Sequence, residues 1–316
     1  MSAGTGSDAG VKWFGVIGVL LLGLGAAWLL ASFRLAIIPA GPIPAWDGFR
    51  APASPLEVTP LLTGSLQSRA AMAFRGGRFS EEREFVVGGL LLQHPRGSVL
   101  IDAGFGGALA EHLKTLPWMM RRATRERLDL PMAEALARAG VVPEALDAVI
   151  LTHAHWDHVS GLDGLGKVTV KLTAAERRFL LDGGRTTALA RGVIAQHDLE
   201  TIAFNDGPYR GFERSHDYFG DGTLVLVSAP GRTPGSLIAF VALPDGRQAV
   251  LIGDIAWQLE GIELPVERPA PLQAMVDADP LANRQLLVTL HRLHMSDPRV
   301  VIVPAHDARG WAELAN

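Results

Sequence analysis

The chain has 316 residues, with 29 basic and 33 acidic side chains and a formal net charge of −4. The charge is nearly balanced and no long run of basic or acidic residues occurs, so the composition does not indicate a nucleic-acid partner. It contains no cysteine, which excludes a disulfide framework and thiolate metal ligands.

An apolar segment without a charged residue, residues 13–33, lies between Lys12 and Arg34 near the amino terminus. At a rise of about 1.5 Å per residue, a helix of this length spans the hydrocarbon core of a bilayer. The segment is longer than the apolar region of a cleaved signal peptide, and no small-residue cleavage site follows it. We therefore predict a tail at 1–12, a single-pass transmembrane signal anchor at 13–33, and a cell-membrane protein whose main domain is extracytoplasmic.

A proline-rich stretch, residues 34–55, follows the predicted anchor. Proline at this density disfavours helix and central strand, so we predict a semi-rigid linker that holds the next domain away from the bilayer. Residues 56–316 are long enough for one large domain with a full core, and they contain no second linker and no repeat.

Hydrophobic periodicity predicts alternating strands and helices within this domain. The predicted strands lie at 85–92, 98–101, 146–151, 224–228, 237–243, 249–252 and 300–303, and the predicted helices at 109–139 and 280–295. Within 168–181 a strand passes into a helix that begins at Thr173, where Glu176 completes a capping box. Strand groups separated by helices predict an α/β fold with a two-sheet core flanked by helices.

The most informative motif is Thr-His-Ala-His-Trp-Asp-His at 152–158, at the end of a predicted strand. It places His153, His155, Asp157 and His158 within six positions. Neutral imidazoles and an ionised carboxylate are ligands of divalent first-row metals. Because buried His and Asp without partners cost several kcal/mol, the motif predicts a metal site.

This motif resembles the signature of the metallo-β-lactamase-fold hydrolases. Similar segments follow in the family's order, at 100–104, 229–236, 252–254 and 304–307, and the likeness extends over about residues 85–308. The resemblance implies an αββα sandwich of two mixed β-sheets flanked by helices, and a metal-dependent hydrolase. It implies one or two zinc ions, with iron and manganese as alternatives.

The same resemblance implies which residues bind the metals. The implied positions are His153, His155 and Arg232 for a first metal, Asp157, His158 and His306 for a second, and Asp254 between them. Arg232 is a departure, because the family has a histidine ligand at that position. A guanidinium group has no acceptor lone pair and stays protonated at neutral pH, so it cannot act as a ligand. The second site is therefore complete in sequence, and the first has lost a ligand.

Three outcomes stay open at this stage. A single ion at the second site would leave the charge of Arg232 in place of the other cation. Alternatively, His153 and His155 retain a weaker first ion with help from Asp254 and water or from His216, or the site no longer catalyses. Arg232 either binds the anionic part of a substrate and stabilises charge on a carbonyl or phosphoryl oxygen, or turns away and pairs with an acidic neighbour.

The resemblance implies hydrolysis by a metal-activated water. Asp157 would orient or deprotonate that water, and Asp102 and Thr152 would fix the imidazole tautomers. By analogy we expect a small ester or lactone as the substrate. The alternatives are a β-lactamase, another amide or phosphodiester hydrolase of the same fold, and a non-catalytic, metal-containing binding module.

Overall fold

The computed structural model describes residues 20–43, 54–116, 118–123, 125–184 and 186–314. Its strands are β1 (Glu57–Arg69), β2 (Glu82–His94), β3 (Gly97–Ile101), β4 (Arg125–Leu128), β5 (Ala148–Ile150), β6 (Thr169–Thr173), β7 (Asp198–Ile202), β8 (Ser215–Asp217), β9 (Leu224–Ser228), β10 (Leu237–Ala242), β11 (Gln248–Leu251) and β12 (Val300–Val303). They form a seven-stranded sheet in the order β4-β1-β2-β3-β5-β6-β7 and a five-stranded sheet in the order β12-β11-β10-β9-β8. Both sheets contain parallel and antiparallel pairs, so the prediction of two mixed sheets is confirmed.

Helices cover the outer faces of both sheets. The α-helices of the described residues are α1 (20–31), α2 (Ala70–Ala73), α3 (Leu109–Thr115), α4 (Trp118–Ala123), α5 (Met132–Arg138), α6 (Trp156–Val159), α7 (Ala174–Asp182), α8 (Ala188–Ile194), α9 (Glu260–Glu263), α10 (Ala270–Val276), α11 (Pro280–Ser296) and α12 (Ala308–Ala312), and α1 is exposed along its length. Helix α7 begins as predicted, because the Thr173 side chain accepts a hydrogen bond from the Glu176 amide.

Three layers of buried apolar side chains hold the sandwich together. The central layer joins residues of β2, β3 and β5 in the larger sheet to residues of β9, β10 and β11 in the smaller one. A second layer packs the larger sheet against α5, α7 and α8, and a third packs the smaller sheet against α11. Strands β5, β10 and β11 are buried along their whole length, as expected for continuous apolar runs that are covered on both faces.

The predicted helix at 109–139 is wrong as a single element. This stretch folds as α3, α4, the exposed edge strand β4 and then α5, and β4 pairs antiparallel with β1. Proline accounts for two of these breaks, because Pro117 lies between α3 and α4 in sequence and Pro131 precedes α5. A residue that precedes proline is disfavoured in the helical region, and Pro131 is the N-cap of α5.

The amino-terminal anchor is described only in part. Residues 20–31 are helical, whereas the predicted tail and residues 13–19 lie outside the described residues. Among the described residues, no helix is both long and apolar enough to cross a bilayer. The transmembrane span stays a prediction.

The first part of the predicted linker packs on the domain instead of extending freely from it. Ile38 is buried, and its amide donates a hydrogen bond of 2.9 Å to the carbonyl oxygen of Pro265. Ile37 forms an isolated bridge with Val266. Burial of an apolar side chain is more favourable than its exposure to water. This segment therefore follows the protein surface instead of extending into solvent. Residues 44–53 lie outside the described part.

We expect Gly161→Ala to destabilise the fold. A Cβ atom at Gly161 would lie 2.0 Å from the carbonyl oxygen of Ala103, and the backbone shift that relieves this overlap costs about 1–3 kcal/mol. Gly192→Ala is the control, because a Cβ there meets no atom within 4 Å and alanine favours helix by up to about 1 kcal/mol. Urea unfolding measures both variants, and equal midpoints would contradict the close approach.

Candidate metal centre

The predicted site residues lie at one edge of the sandwich, where strands of both sheets end. The motif at 152–158 follows β5, Asp254 follows β11 and His306 follows β12. The Leu237 amide of the smaller sheet donates a 2.9 Å hydrogen bond to the carbonyl oxygen of Thr152 in the larger one. The two sheets are therefore joined directly at this edge, which fixes the loops relative to each other.

Six predicted ligands form two groups, and in each the ligand atoms lie within 4.8 Å of one another. The first group is His153, His155 and Asp254, and the second is Asp157, His158 and His306. Asp254 also faces the second group, because its Oδ1 lies 3.0 Å from His306 Nε2 and 3.3 Å from His158 Nε2. The structure therefore brings together all six residues that the sequence singled out.

Several of these ligand atoms are buried and have no hydrogen-bond partner among the described residues. They are His153 Nε2, His155 Nδ1, His158 Nε2 and Asp254 Oδ1. An unpaired buried polar atom costs about 1–3 kcal/mol, and four of them around one space call for a common partner. Nitrogen and carboxylate oxygen donors in this arrangement fit a divalent cation such as zinc.

A second shell of hydrogen bonds orients the second group. Asp102 Oδ2 lies 2.8 Å from His158 Nδ1 and accepts a 2.7 Å hydrogen bond from the Thr152 hydroxyl. His306 Nδ1 lies 2.8 Å from the carbonyl oxygen of Val86. Each imidazole therefore turns Nε2 towards Asp254, and Asp102 and Thr152 have the supporting position that the sequence predicted.

Glu176 supports the centre in a way that the sequence did not reveal. Its carboxylate is fully buried and accepts hydrogen bonds from the Ala154 amide at 2.7 Å, the Thr233 hydroxyl at 2.6 Å and the Gly235 amide at 3.1 Å. It therefore ties the loop of the histidine motif to the loop of Arg232. The sequence signalled only its place in a capping box, because these partners come from distant parts of the chain.

Arg232 does not turn away from the centre. Its side chain is 6% exposed, and its Nη2 lies 2.9 Å from Asp254 Oδ2. Its Nη1 donates a 2.7 Å hydrogen bond to the carbonyl oxygen of Val276, and the guanidinium carbon lies 5.5 Å from the centre of the Trp257 ring. Arg232 is thus paired with an acidic neighbour, and that neighbour is the carboxylate between the two groups.

Arg268 and Asp277 also belong to the centre, although no motif marked them. Arg268 Nη1 forms a 2.9 Å ion pair with Asp277 Oδ1, and Nη2 donates hydrogen bonds to the carbonyl oxygens of Asp254 and Ile255. Both side chains of the pair are almost completely buried. The loop before α10 thus brings a second guanidinium group against Asp254, which only the tertiary fold reveals.

The pKa values differ between the two groups of ligands. Burial lowers the pKa of His153 and His155, and the charge of Arg232 lowers both further. Burial also opposes the charged form of His158, but the carboxylates of Asp102 and Asp254 outweigh it and raise that pKa well above its usual value. The protein thus favours positive charge at the second group.

Simple electrostatics sets the scale for a metal beside Arg232. Two unit charges 4 Å apart interact by about 4 kcal/mol at an effective dielectric constant of about 20, and a dication doubles that energy. An ion that shared Asp254 Oδ2 with Arg232 would face a repulsion of this order.

His216 does not supply a ligand to the first group. It lies on β8 with Nδ1 3.8 Å from Asp206 Oδ2, and it belongs to neither group of ligands. The hypothesis that His216 completes the first site is therefore wrong.

We expect Glu176→Ala to lower the free energy of unfolding by several kcal/mol. The substitution leaves the buried amides of Ala154 and Gly235 without an acceptor, at about 1–3 kcal/mol for each unsatisfied group, and it leaves the Thr233 hydroxyl only its contact with Ser236. Glu200→Ala is the control, because the side chain of Glu200 is 57% exposed and pairs with Lys171, which contributes about 0–1 kcal/mol. Similar urea midpoints for the two variants would contradict the supporting role of Glu176.

Comparison with known proteins identifies the family. Residues 89–306 match the family profile of the metallo-beta-lactamase superfamily. The chain is 27% identical over 239 residues to a probable metallo-hydrolase of Mycobacterium tuberculosis, covering 69% of this chain and 73% of that protein. It is 24% identical over 246 residues to an N-acyl homoserine lactonase of Agrobacterium fabrum, covering 73% and 85%.

Solved structures share the fold. A mutant of Bacillus thuringiensis AiiA with N-decanoyl-L-homoserine at its active site superposes with a TM-score of 0.64 at 17% identity, covering 84% of this chain and 97% of that one. The dizinc quorum-quenching lactonase AidC gives a TM-score of 0.52 at 15% identity, covering 84% and 91%. The chain therefore belongs to the metallo-beta-lactamase superfamily of metal-dependent hydrolases, as its motifs predicted.

Proposed function

We propose that this protein hydrolyses a lactone or a small ester, with N-acyl homoserine lactones as the substrate class to test first. The observation that carries the proposal is the convergence of buried, unpartnered histidine and carboxylate atoms around Asp254. The relatives named as N-acyl homoserine lactonases support the choice of a lactone. Zinc is the expected metal, because imidazole and carboxylate ligands suit it.

The second group is the proposed binding site of this ion, with Asp157, His158 and His306 as ligands and Asp254 beside them. When bound, the ion would polarise a carbonyl oxygen and lower the pKa of water. Asp157, which is 7% exposed, would orient the attacking water and accept its proton. The water oxygen would bond to the carbonyl carbon, the ring carbon–oxygen bond would break, and the proton taken by Asp157 would pass to the ring oxygen, so that the product is a hydroxy acid.

Aromatic side chains beside the ligands suit an apolar acyl tail. Trp156 stacks on Phe105 with ring centres 5.6 Å apart, and Trp257 meets Phe85 edge-on at 6.0 Å. Both tryptophans are half-buried; Trp156 is part of the histidine motif, and Trp257 lies in the loop that follows Asp254. Aromatic rings offer large apolar contact areas in ligand sites, which favours an acylated substrate over a fully polar one.

Membrane anchoring through residues 13–33, with the hydrolase domain outside the cytoplasm, stays part of this proposal. The described part of α1 supports it, since this helix exposes large apolar side chains, namely those of Leu20, Leu21, Leu22, Leu24, Trp28 and Leu30. A contiguous exposed apolar surface of this kind calls for a lipid or protein partner.

We expect the full-length protein to remain with the membrane fraction after an alkaline carbonate wash. Replacing Leu22 and Leu24 by aspartate should release it, because a charge at the centre of a membrane helix costs about 2.5–3.5 kcal/mol. Leu281→Asp is the control, since Leu281 is 73% exposed on the hydrolase domain. Release of the unmodified protein by the wash would contradict the anchor.

We expect Asp157→Ala to lower the rate of N-decanoyl-homoserine lactone hydrolysis by at least about 100-fold, the usual contribution of a general base. Asp182→Ala is the control, because Asp182 is an exposed residue at the end of α7. A pH-indicator assay measures the acid that each turnover releases. Full activity of Asp157→Ala would contradict the mechanism, and faster cleavage of β-lactams than of lactones would favour the β-lactamase alternative.

A further inference from the structure

The geometry points to Arg232 as a built-in substitute for one of two metal ions, so that this hydrolase works with a single ion at Asp157, His158 and His306. The inference deepens the proposed function and rests on it. It concerns the first group, where His153 and His155 face a guanidinium group.

The two carboxylate oxygens of Asp254 serve different sides of the centre. Oδ2 lies 2.9 Å from Arg232 Nη2 and accepts a 2.8 Å hydrogen bond from Trp257 Nε1. A carboxylate oxygen has two lone pairs, so these donors occupy Oδ2. Oδ1 accepts no well-aligned hydrogen bond from the described residues, and its neighbours are His306 Nε2 at 3.0 Å and His158 Nε2 at 3.3 Å. It is therefore the oxygen of Asp254 that is free to bind an ion, and it faces His158 and His306.

Arg232 is fixed in this position by contacts on both sides. Its Nη1 is bound to the Val276 carbonyl oxygen, and its guanidinium packs on Trp257. A Cβ atom at the preceding residue, Gly231, would lie 2.8 Å from the Asn283 amide nitrogen, so the chain passes α11 closely there. The next residue, Thr233, is bound to Glu176. The arginine therefore cannot swing away without breaking buried contacts on either side.

The charges on this side of Asp254 are already balanced. The buried guanidinium groups of Arg232 and Arg268 face the carboxylates of Asp254 and Asp277. A dication here would add uncompensated buried charge, which is strongly unfavourable. Around the second group, by contrast, Asp157 Oδ2 lies 3.4 Å from His306 Nε2 and no arginine faces this carboxylate among the described residues, so a cation fits there.

A fixed guanidinium group also suits the reaction. Arg232 Nε is buried and has no hydrogen-bond acceptor among the described residues, so a substrate oxygen that reached it would satisfy this N–H. A donor held in place before the reaction stabilises negative charge on a carbonyl oxygen, and removing such a donor slows reactions by about 100- to 1000-fold. We assign this donor role to Arg232.

Metal content of the full-length protein tests the inference without an activity assay. After incubation with zinc and dialysis, elemental analysis should find one equivalent per chain. His153→Ala should keep this equivalent, and its matched partner His306→Ala should lose it, because only the second group holds the ion. Two equivalents in the unmodified protein, or loss in His153→Ala with retention in His306→Ala, would overturn the inference.

Arg232→His should raise the zinc content to two equivalents, since it supplies the missing ligand. Arg232→Gln removes the charge without adding a nitrogen ligand, and it should stay at one equivalent while kcat falls by about 100-fold with little change in KM. Cobalt(II) absorption gives a second readout of each site. A content of one equivalent in a folded Arg232→His protein would contradict the inference. If this variant does not fold, the zinc contents of His153→Ala and His306→Ala still test which group holds the ion.

The result is separable from the proposed function. One equivalent in the unmodified protein with no turnover on lactones and esters would overturn the proposed substrate class and leave the single-ion site standing. Two equivalents with rapid lactone hydrolysis would do the reverse.

Discussion

The carboxylate of Asp254 is the group on which the organisation of this centre depends. A buried carboxylate is tolerated only when cations or donors surround it, and here Arg232 and Trp257 meet it on one side while His158 and His306 face it on the other. Burial raises the pKa of this carboxyl, but these positive charges hold it well below its usual value. It is therefore an anion that different cations share, and the identity of each cation decides how many metals the protein binds.

The scaffold holds the groups around Asp254 in fixed positions. Both sheets end at the same edge, and the backbone turns sharply there, with Asp102 and Gly253 in the left-handed region at φ values of 58° and 51°. Glu176 then fastens the loops that carry the histidine motif and Arg232. A loop fixed by buried hydrogen bonds pays less ordering entropy when it binds an ion or a substrate. The same rigidity explains why an arginine can act as a permanent part of the centre.

Much of the fold could be predicted, because its central strands are uniform apolar runs and its capping residue at Thr173 acts locally. The stretch at 109–139 could not, since the pairing of β4 with β1 depends on a partner about sixty residues away. The same distinction applies to the site. His153 and its neighbours in the motif are adjacent in sequence and carry their own chemical signature, whereas Arg268 and Asp277 are an ordinary arginine and aspartate until the fold brings them to Asp254.

The class of chemistry follows from the amino-acid sequence, because ligand spacing, family motifs and the arginine at position 232 are all properties of the chain. The contacts of that arginine follow only from the folded structure. Whether a guanidinium group faces a metal site or solvent depends on buried partners, here Asp254, Trp257 and the Val276 carbonyl oxygen, which are remote in sequence from Arg232. Electrostatic interactions act through space and strengthen with burial, so their outcome follows from the folded arrangement and not from the order of residues.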